Sequence, residues 1–285
     1  MIQAIVLGAN GQLGSCLKEI VNTSEQTKVD YHFCSSAEAD ITNEEQILSL
    51  IDRLQPQVII NAAAYTKVDL AEKEKDRAFL INACSVQKLA KLCAKNDIVL
   101  IHISTDYVFD GAKKEAYLEN DATNPINTYG LSKWEGEEQL RNSHSKHFII
   151  RTSWLYSDKG QNFYNSMLRL FGEKEELKIT TDQVGCPTNA YDLAEFIHFL
   201  VVNQATEFGT YHFCNTEETT WYAFAKQILE GSKENFTCEV SPIDSYPTPA
   251  KRPAHSVMST QKIQQTFGYK IDNWKDALAR LQAKV

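Results

Sequence analysis

The chain has 285 residues, with 29 Lys and Arg against 37 Asp and Glu and a net charge of −8. Apolar residues at 43% and charged residues at 23% are ordinary globular usage, with core enough for one large or two unequal domains, and they exclude disordered and collagen-like classes. The acidic balance excludes a general binder of nucleic acid or anionic membrane.

Seven cysteines, an odd and scattered set without a CxxC pair, fit reduced thiols in a cytoplasmic protein better than a disulfide framework or a zinc site. No His/Cys/Asp cluster has metal-ligand spacing, so no metal is expected. None of the histidines is assigned to chemistry. The opening MIQAIVLGANGQLG lacks a basic n-region and a long apolar run, so neither a signal peptide nor a transmembrane helix is expected.

Taken along the chain, short β-rich runs alternate with helical patterns. Ile2–Leu7 reads as a strand closed by Gly8, and Leu13–Val21 as a helix with Leu13, Leu17, Ile20 and Val21 on one face. Val29–Cys34 is a second strand. Thr42 followed by Glu45 resembles a capping box opening a helix through Leu54. Gln57–Asn61 is a third strand, Arg77–Lys95 a long amphipathic helix, Ile98–Ser104 a fourth strand, Thr128–Asn142 a helix and His147–Thr152 a fifth strand. Such alternation predicts an α/β fold, a Rossmann-type doubly wound parallel sheet covered on both faces.

Past residue 152 the rhythm weakens. Asn162–Phe171, Tyr191–Asn203 and Trp221–Glu230 read as helices and Gly209–Cys214 as a strand, while the proline-rich stretch 242–253 reads as irregular. The division expected is a dinucleotide-binding domain at 1–152, with elements at about 190–214 returning to its sheet, and a smaller, interleaved substrate-binding lobe over most of 153–285.

Gly8-Ala-Asn10-Gly11-Gln12-Leu13-Gly14 stands directly after the first strand and opens the first helix. Gly8 suits a sharp turn, Gly11 a close backbone approach to a pyrophosphate, and Gly14 tight packing of helix on sheet. The helix N-terminus then offers N–H groups to phosphate. No acid ends the second strand to hold a ribose 2′-hydroxyl, and no arginine marks a 2′-phosphate site. Ser35 and Ser36 have room for a phosphate, so NADPH is preferred, with NADH left open. Asp40, before Ile41, reads equally as an acceptor for the adenine amino group or as a helix-flanking acid. The small residues of Asn61-Ala-Ala63-Ala64-Tyr65-Thr66 would let a cofactor cross the strand ends.

Tyr129-Gly-Leu-Ser-Lys133 places a phenol and an ammonium four residues apart, on one helical face. A lysine there would lower the tyrosine pKa and make it a usable proton donor to a carbonyl receiving hydride. Upstream, the buried run from Ile98 ends in Ser104-Thr105-Asp106, where the Thr105 hydroxyl would polarise the carbonyl. Glu135-Gly-Glu137-Glu138 reads as a solvated helix face. Arg252 would match diphosphate oxygens, or lie on the surface beside Pro253.

Together these residues resemble the extended short-chain dehydrogenase/reductase superfamily and, within it, the dTDP-4-dehydrorhamnose reductase family. The resemblance spans nearly the whole chain. It rests on Gly8–Gly14, Asn61–Thr66 with Val68-Asp69, Ser104–Phe109, Tyr129–Lys133, Arg151-Thr-Ser-Trp154-Leu-Tyr156, Asp182-Gln183 through Pro187-Thr188, and Arg252-Pro253 with Ser256. It implies NAD(P)H-dependent reduction of the C4 ketone of dTDP-6-deoxy-L-lyxo-4-hexulose. Tyr129 would be the proton donor, Lys133 would support it and the cofactor, and Thr105 would orient the ketone. Trp154 and Asp106 would touch substrate, while Gly11, Gln12, Leu13, Asp40, Ile41, Ala64, Tyr65, Thr66 and Ile103 would contact cofactor.

Where some relatives carry glutamates for a metal-linked dimer, this chain has Cys16 and Tyr191, so neither that metal nor that dimer is expected to carry over. A homodimer of another kind stays open. The motifs do not separate rhamnose from another 6-deoxyhexose epimer as product. A non-catalytic alternative, a regulatory subunit like that of methionine adenosyltransferase, is disfavoured by the intact Tyr129–Lys133 pair.

Overall fold

The computed structural model describes residues 1–24 and 28–285. Its centre is a six-stranded sheet of β1 (Ile2–Leu7), β2 (Val29–Cys34), β3 (Val58–Asn61), β4 (Val99–Thr105), β5 (His147–Thr152) and a sixth strand, Gly209–His212. All strand pairs in it are parallel, and the order across the sheet is sixth strand, β5, β4, β3, β1, β2.

Alternation along each strand builds two cores, because successive side chains point to opposite faces. Ala4, Val6, Ile60, Phe148 and Ile150 pack with Leu13 and Leu17 of helix α1 (Gln12–Thr23) and with Leu193, Phe196 and Ile197 of the Ala190–Val202 helix. Ile5, Leu7, Ile59, Leu100 and Ile149 meet Ile47, Leu50 and Ile51 of helix α2 (Glu44–Leu54) and Val86 and Leu89 of the Ser85–Lys95 helix on the other face. The chain leaves β1 for opposite neighbours, β2 on one side and β3 on the other, and such a reversal opens a crevice outside the carboxyl ends of the strands.

Several elements differ from expectation for identifiable reasons. Helix α2 is capped by Asn43, which accepts from Gln46 N–H at 3.2 Å, while Thr42 instead donates to Asp40 Oδ1 at 2.8 Å. The helix expected over Arg77–Lys95 is interrupted by a π-turn at Leu80–Cys84, flanked by Lys75–Phe79 and Ser85–Lys95. The first two residues of the stretch expected to be irregular, Pro242 and Ile243, end a strand: Glu239–Ile243 pairs in parallel with Glu176–Thr180. Pro242 is tolerated because this ribbon has only two strands and leaves the proline an open edge. Among the described residues no helix is long and apolar enough to cross a membrane.

Candidate active site

The strand ends and the loops after them form the site. Gly8 turns off β1 at φ +79°, and a Cβ there would lie 2.7 Å from Ala63 N, so only glycine lets the two loops touch. Gly14 is equally confined, because its Cβ would lie 2.7 Å from Ala9 Cα. Helix α1 has no side-chain cap and no acid in its first turn, so its amino end keeps its positive field for an anion. The buried amide nitrogen of Gln12 has no partner among the described residues. This donor set, with a cradle that a methyl would fill, fits the pyrophosphate of a dinucleotide. Asn10 and Gly11 lie exposed at the mouth of the turn, and Leu13 is buried beneath it.

At the end of β2 an acid does arrive, from the turn rather than the strand. Glu38 Oε2 accepts from Ser35 N–H and from Ser35 Oγ, both at 2.8 Å. Lys18 and Arg53 line the same hollow. A carboxylate four residues past the strand end carries no strand-end signature, which is why sequence reading missed it. Asp40 Oδ1 accepts from the backbone and hydroxyl of Thr42, next to buried Ile41.

Beyond β3, Ala63 and Ala64 are half-buried, Tyr65 is buried, and Thr66 is exposed. The Tyr65 hydroxyl donates to Glu74 at 3.1 Å, so this residue faces the crevice with backbone rather than phenol. The π-turn explains how that backbone is held. Asn82, at its centre, accepts from Tyr65 N–H at 2.9 Å and donates to Tyr65 O and Ser132 Oγ, each at 3.0 Å. A π-turn breaks helical periodicity locally, and nothing in the apolar pattern announced it.

The Thr128–Ser143 helix is capped by Asn127, which accepts from Gly130 N–H at 2.7 Å. It presses so close that a methyl on Gly130 would run into Tyr107 O, and one on Gly136 into Asn82 O. This helix carries Tyr129 and Lys133. Tyr129 is half-buried, edge-on to Tyr107 with centroids 5.8 Å apart. Burial raises its pKa, opposed by the adjoining Thr105 hydroxyl. The lysine does not acidify the phenol as the spacing suggested, because Lys133 Nζ is drawn 2.6 Å from Ile103 O at the end of β4. Burial lowers the Lys133 pKa to about 8, against the pull of Glu137.

Thr105 Oγ1 donates to Asp106 Oδ1 at 3.0 Å and accepts from Tyr107 N–H at 3.2 Å. Asp106 is buried and its Oδ2 has no hydrogen bond among the described residues. Burial lifts its pKa to about 6, opposed by the Ser256 and Thr105 hydroxyls. Glu137 is not solvated, contrary to expectation. It is fully buried and meets the Arg151 guanidinium at 2.7 Å. Burial would raise its pKa, but Arg151 and Arg141 bring it below the usual carboxylate range.

Trp154 holds φ +45°, and its indole stacks on Trp221 with centroids 3.6 Å apart, over Gly185. Trp221, which donates to Gln183 at 3.1 Å, was not singled out by sequence. Arg252 donates to Asp69 Oδ2 at 2.8 Å and to the Tyr107 hydroxyl at 3.3 Å, so part of its fork is engaged within the chain. The structure thus gathers Thr105, Asp106, Tyr129 and Lys133 at the end of β4, and lays the glycine turn and Ala63 side by side.

Comparison with known proteins agrees over the full length. Residues 2–285 match the family described as RmlD substrate binding domain. The chain is similar to the dTDP-4-dehydrorhamnose reductase of Aggregatibacter actinomycetemcomitans, 39% identical with 99% of each chain covered. It is also similar to that of Sinorhizobium fredii, 39% identical with 97% of this chain and 95% of the other covered. Among solved structures, the Bacillus anthracis dTDP-4-dehydrorhamnose reductase in complex with NADP superposes with a TM-score of 0.94 at 37% identity, covering 100% of both chains. That from Clostridium acetobutylicum gives 0.93 at 34% identity, covering 99% of each. UDP-glucose 4-epimerase from Brucella ovis, at 15% identity and a TM-score of 0.83, shares the Rossmann-type fold. The glycine turn, the Tyr129–Lys133 helix and these full-length matches place the chain in the dTDP-4-dehydrorhamnose reductase family.

Proposed function

We propose that this protein reduces the C4 ketone of dTDP-6-deoxy-L-lyxo-4-hexulose to dTDP-L-rhamnose with NADPH, NADH also serving. The observation that carries the reading is the meeting of Thr105, Asp106 and Tyr129 at the end of β4, on the side where the glycine turn opens. The nicotinamide, when bound, supplies hydride to the ketone carbon. The chain's own residues do the rest. Oxygen left negative by that transfer is a far stronger base than a phenolate, so Tyr129, protonated at neutral pH, gives it a proton even with a raised pKa. Thr105 hydrogen-bonds the ketone oxygen when it turns from Asp106, and Asp106 Oδ2, lacking a partner, is ready to accept from a sugar hydroxyl. Trp154 on its Trp221 support offers an apolar face to the sugar ring. Arg252, steadied by Asp69, offers its remaining donors to the diphosphate. The nucleotide sugar is the one partner this reading needs, and the reaction belongs in the cytoplasm.

The test is incubation of purified protein with the dTDP-4-keto sugar and NADPH, followed by proton NMR of the product. Ring couplings of a rhamno configuration support the assignment. A talo product moves it to an epimeric reductase, and no NADPH or NADH oxidation overturns it.

A further inference from the structure

The end of β2 carries two converging donors, and the chain itself supplies an anion to them. β1 and β2 run in register as far as Leu7 and Cys34, and Ala9 N–H of the glycine turn donates to Cys34 O at 3.1 Å. Ser35, the next residue, therefore stands beside the turn that fits a pyrophosphate. Its N–H and its hydroxyl both donate to one oxygen of Glu38, each at 2.8 Å. A tight turn brings that carboxylate round: Glu38 N–H and Ala39 N–H donate to Ser35 O at 3.1 and 2.8 Å. The Ser35 N–H and hydroxyl, with Lys18 nearby, hold the Glu38 carboxyl below its usual pKa. The neighbouring acids are engaged elsewhere. Asp40 Oδ1 accepts from Thr42 N–H and its hydroxyl, and Asp30, near the other end of β2, lies 3.5 Å from His32. Lys18 and Arg53 line the hollow, and neither forms an ion pair among the described residues.

We propose that Glu38 is a specificity-determining residue for the dinucleotide: its carboxylate occupies the Ser35 donors that a 2′-phosphate needs, and accepts from the ribose 2′-hydroxyl when that phosphate is missing. The proposal rests on the reading of the glycine turn as a dinucleotide site. Its physical basis is the difference between the two ligands. A 2′-phosphate is an acceptor and an anion, so it competes with Glu38 for the Ser35 N–H and hydroxyl and is repelled by its charge. A 2′-hydroxyl can donate, and a carboxylate beside it is a good acceptor. Lys18 and Arg53, free of ion pairs, offset part of the repulsion and keep the phosphate admissible. One turn residue thus lets the site take NADPH and NADH alike, although β2 ends in neither an acid nor an arginine.

The experiment is calorimetric titration of the full chain with NADP⁺ and with NAD⁺, with no ketosugar present. Glu38→Gln keeps the length of the side chain and removes its charge. It should bind NADP⁺ about tenfold more tightly than the wild type and NAD⁺ more weakly. Adding Ser35→Ala to that variant should abolish most of the gain for NADP⁺ and leave NAD⁺ where it was, because the freed hydroxyl carries the gain. A Glu38→Gln variant that shifts both dinucleotides equally, or neither, overturns the proposal and leaves Glu38 a cap of its own turn. A gain kept in full after Ser35→Ala overturns it too, since repulsion at a distance would then suffice. If the wild type binds neither dinucleotide, the dinucleotide site and the proposal fall together; if it binds both and the ratio does not move, only the proposal falls. Reduction of a ketone enters none of these readouts, so the result is independent of the ketoreductase reading.

Discussion

Tyr129 is surrounded so that its proton stays on until a strong base calls for it. Burial raises the phenol pKa, and Lys133 is held away by the Ile103 carbonyl. Tyr129→Phe removes the donor together with its interaction with the Thr105 hydroxyl. It should lose on the order of 10²–10⁴ in kcat while NADPH binds as before, read by steady-state rates and fluorescence titration. Near-native turnover would show that another group donates. Its neighbour Asp106 titrates at a higher pH in the folded state than in the unfolded chain. With its pKa raised to about 6, the folded protein binds a proton that the unfolded chain has released. Stability from this group is therefore full below the ordinary carboxylate value and is lost as pH rises through about 6. Asp106→Asn keeps an acceptor for Thr105 and removes the charge. It should be more stable than the wild type by on the order of 1–3 kcal/mol at pH 7.5, with the gap closing by pH 4, in urea melts at both values. A gap independent of pH would sink this account.

At the scale of elements, the sequence spoke through period and punctuation. Ile2–Leu7, Val29–Cys34 and His147–Thr152 were legible to the residue because apolar runs ended at turn residues, and Tyr129 and Lys133 because four residues make a helical turn. What remained silent were interactions between elements. Glu137 looked solvated since its partner Arg151 lies on a different element, β5, and the π-turn at Leu80–Cys84 was invisible because Asn82 answers to Tyr65 and Ser132 rather than to its own helix. That turn ties the loop after β3 to the Tyr129–Lys133 helix. Asn82→Leu leaves Tyr65 N–H and C=O buried without partners, at about 1–3 kcal/mol each. The variant should lose ~2–4 kcal/mol in urea unfolding and bind NADPH about tenfold more weakly, because the loop that would carry the cofactor loses its anchor. Weakened folding with unchanged NADPH affinity would show that the anchor serves stability only.

Over the whole molecule, the division near residue 152 was drawn from rhythm, with elements at about 190–214 expected to return to the first domain's sheet. The sixth strand, Gly209–His212, pairs with β5, and the Ala190–Val202 helix packs on α1 against the sheet face of Ala4, Val6, Ile60 and Phe148. Residues 1–152 alone would expose the edge of β5 and that apolar face together, a template for aggregation. A dinucleotide site and a sugar site built on these elements would thus share one core. We expect segment 1–152, expressed by itself, to show no sigmoidal urea transition and to bind no NADPH. The full chain should unfold in one transition, raised by about 2.7 kcal/mol when NADPH is present at a hundredfold excess over its Kd. Circular dichroism and calorimetry read both. A cooperative, NADPH-binding 1–152 fragment would mean that the glycine turn, its crevice and the five strands behind it are sufficient, and that the later strand and helix only seal a fold already made.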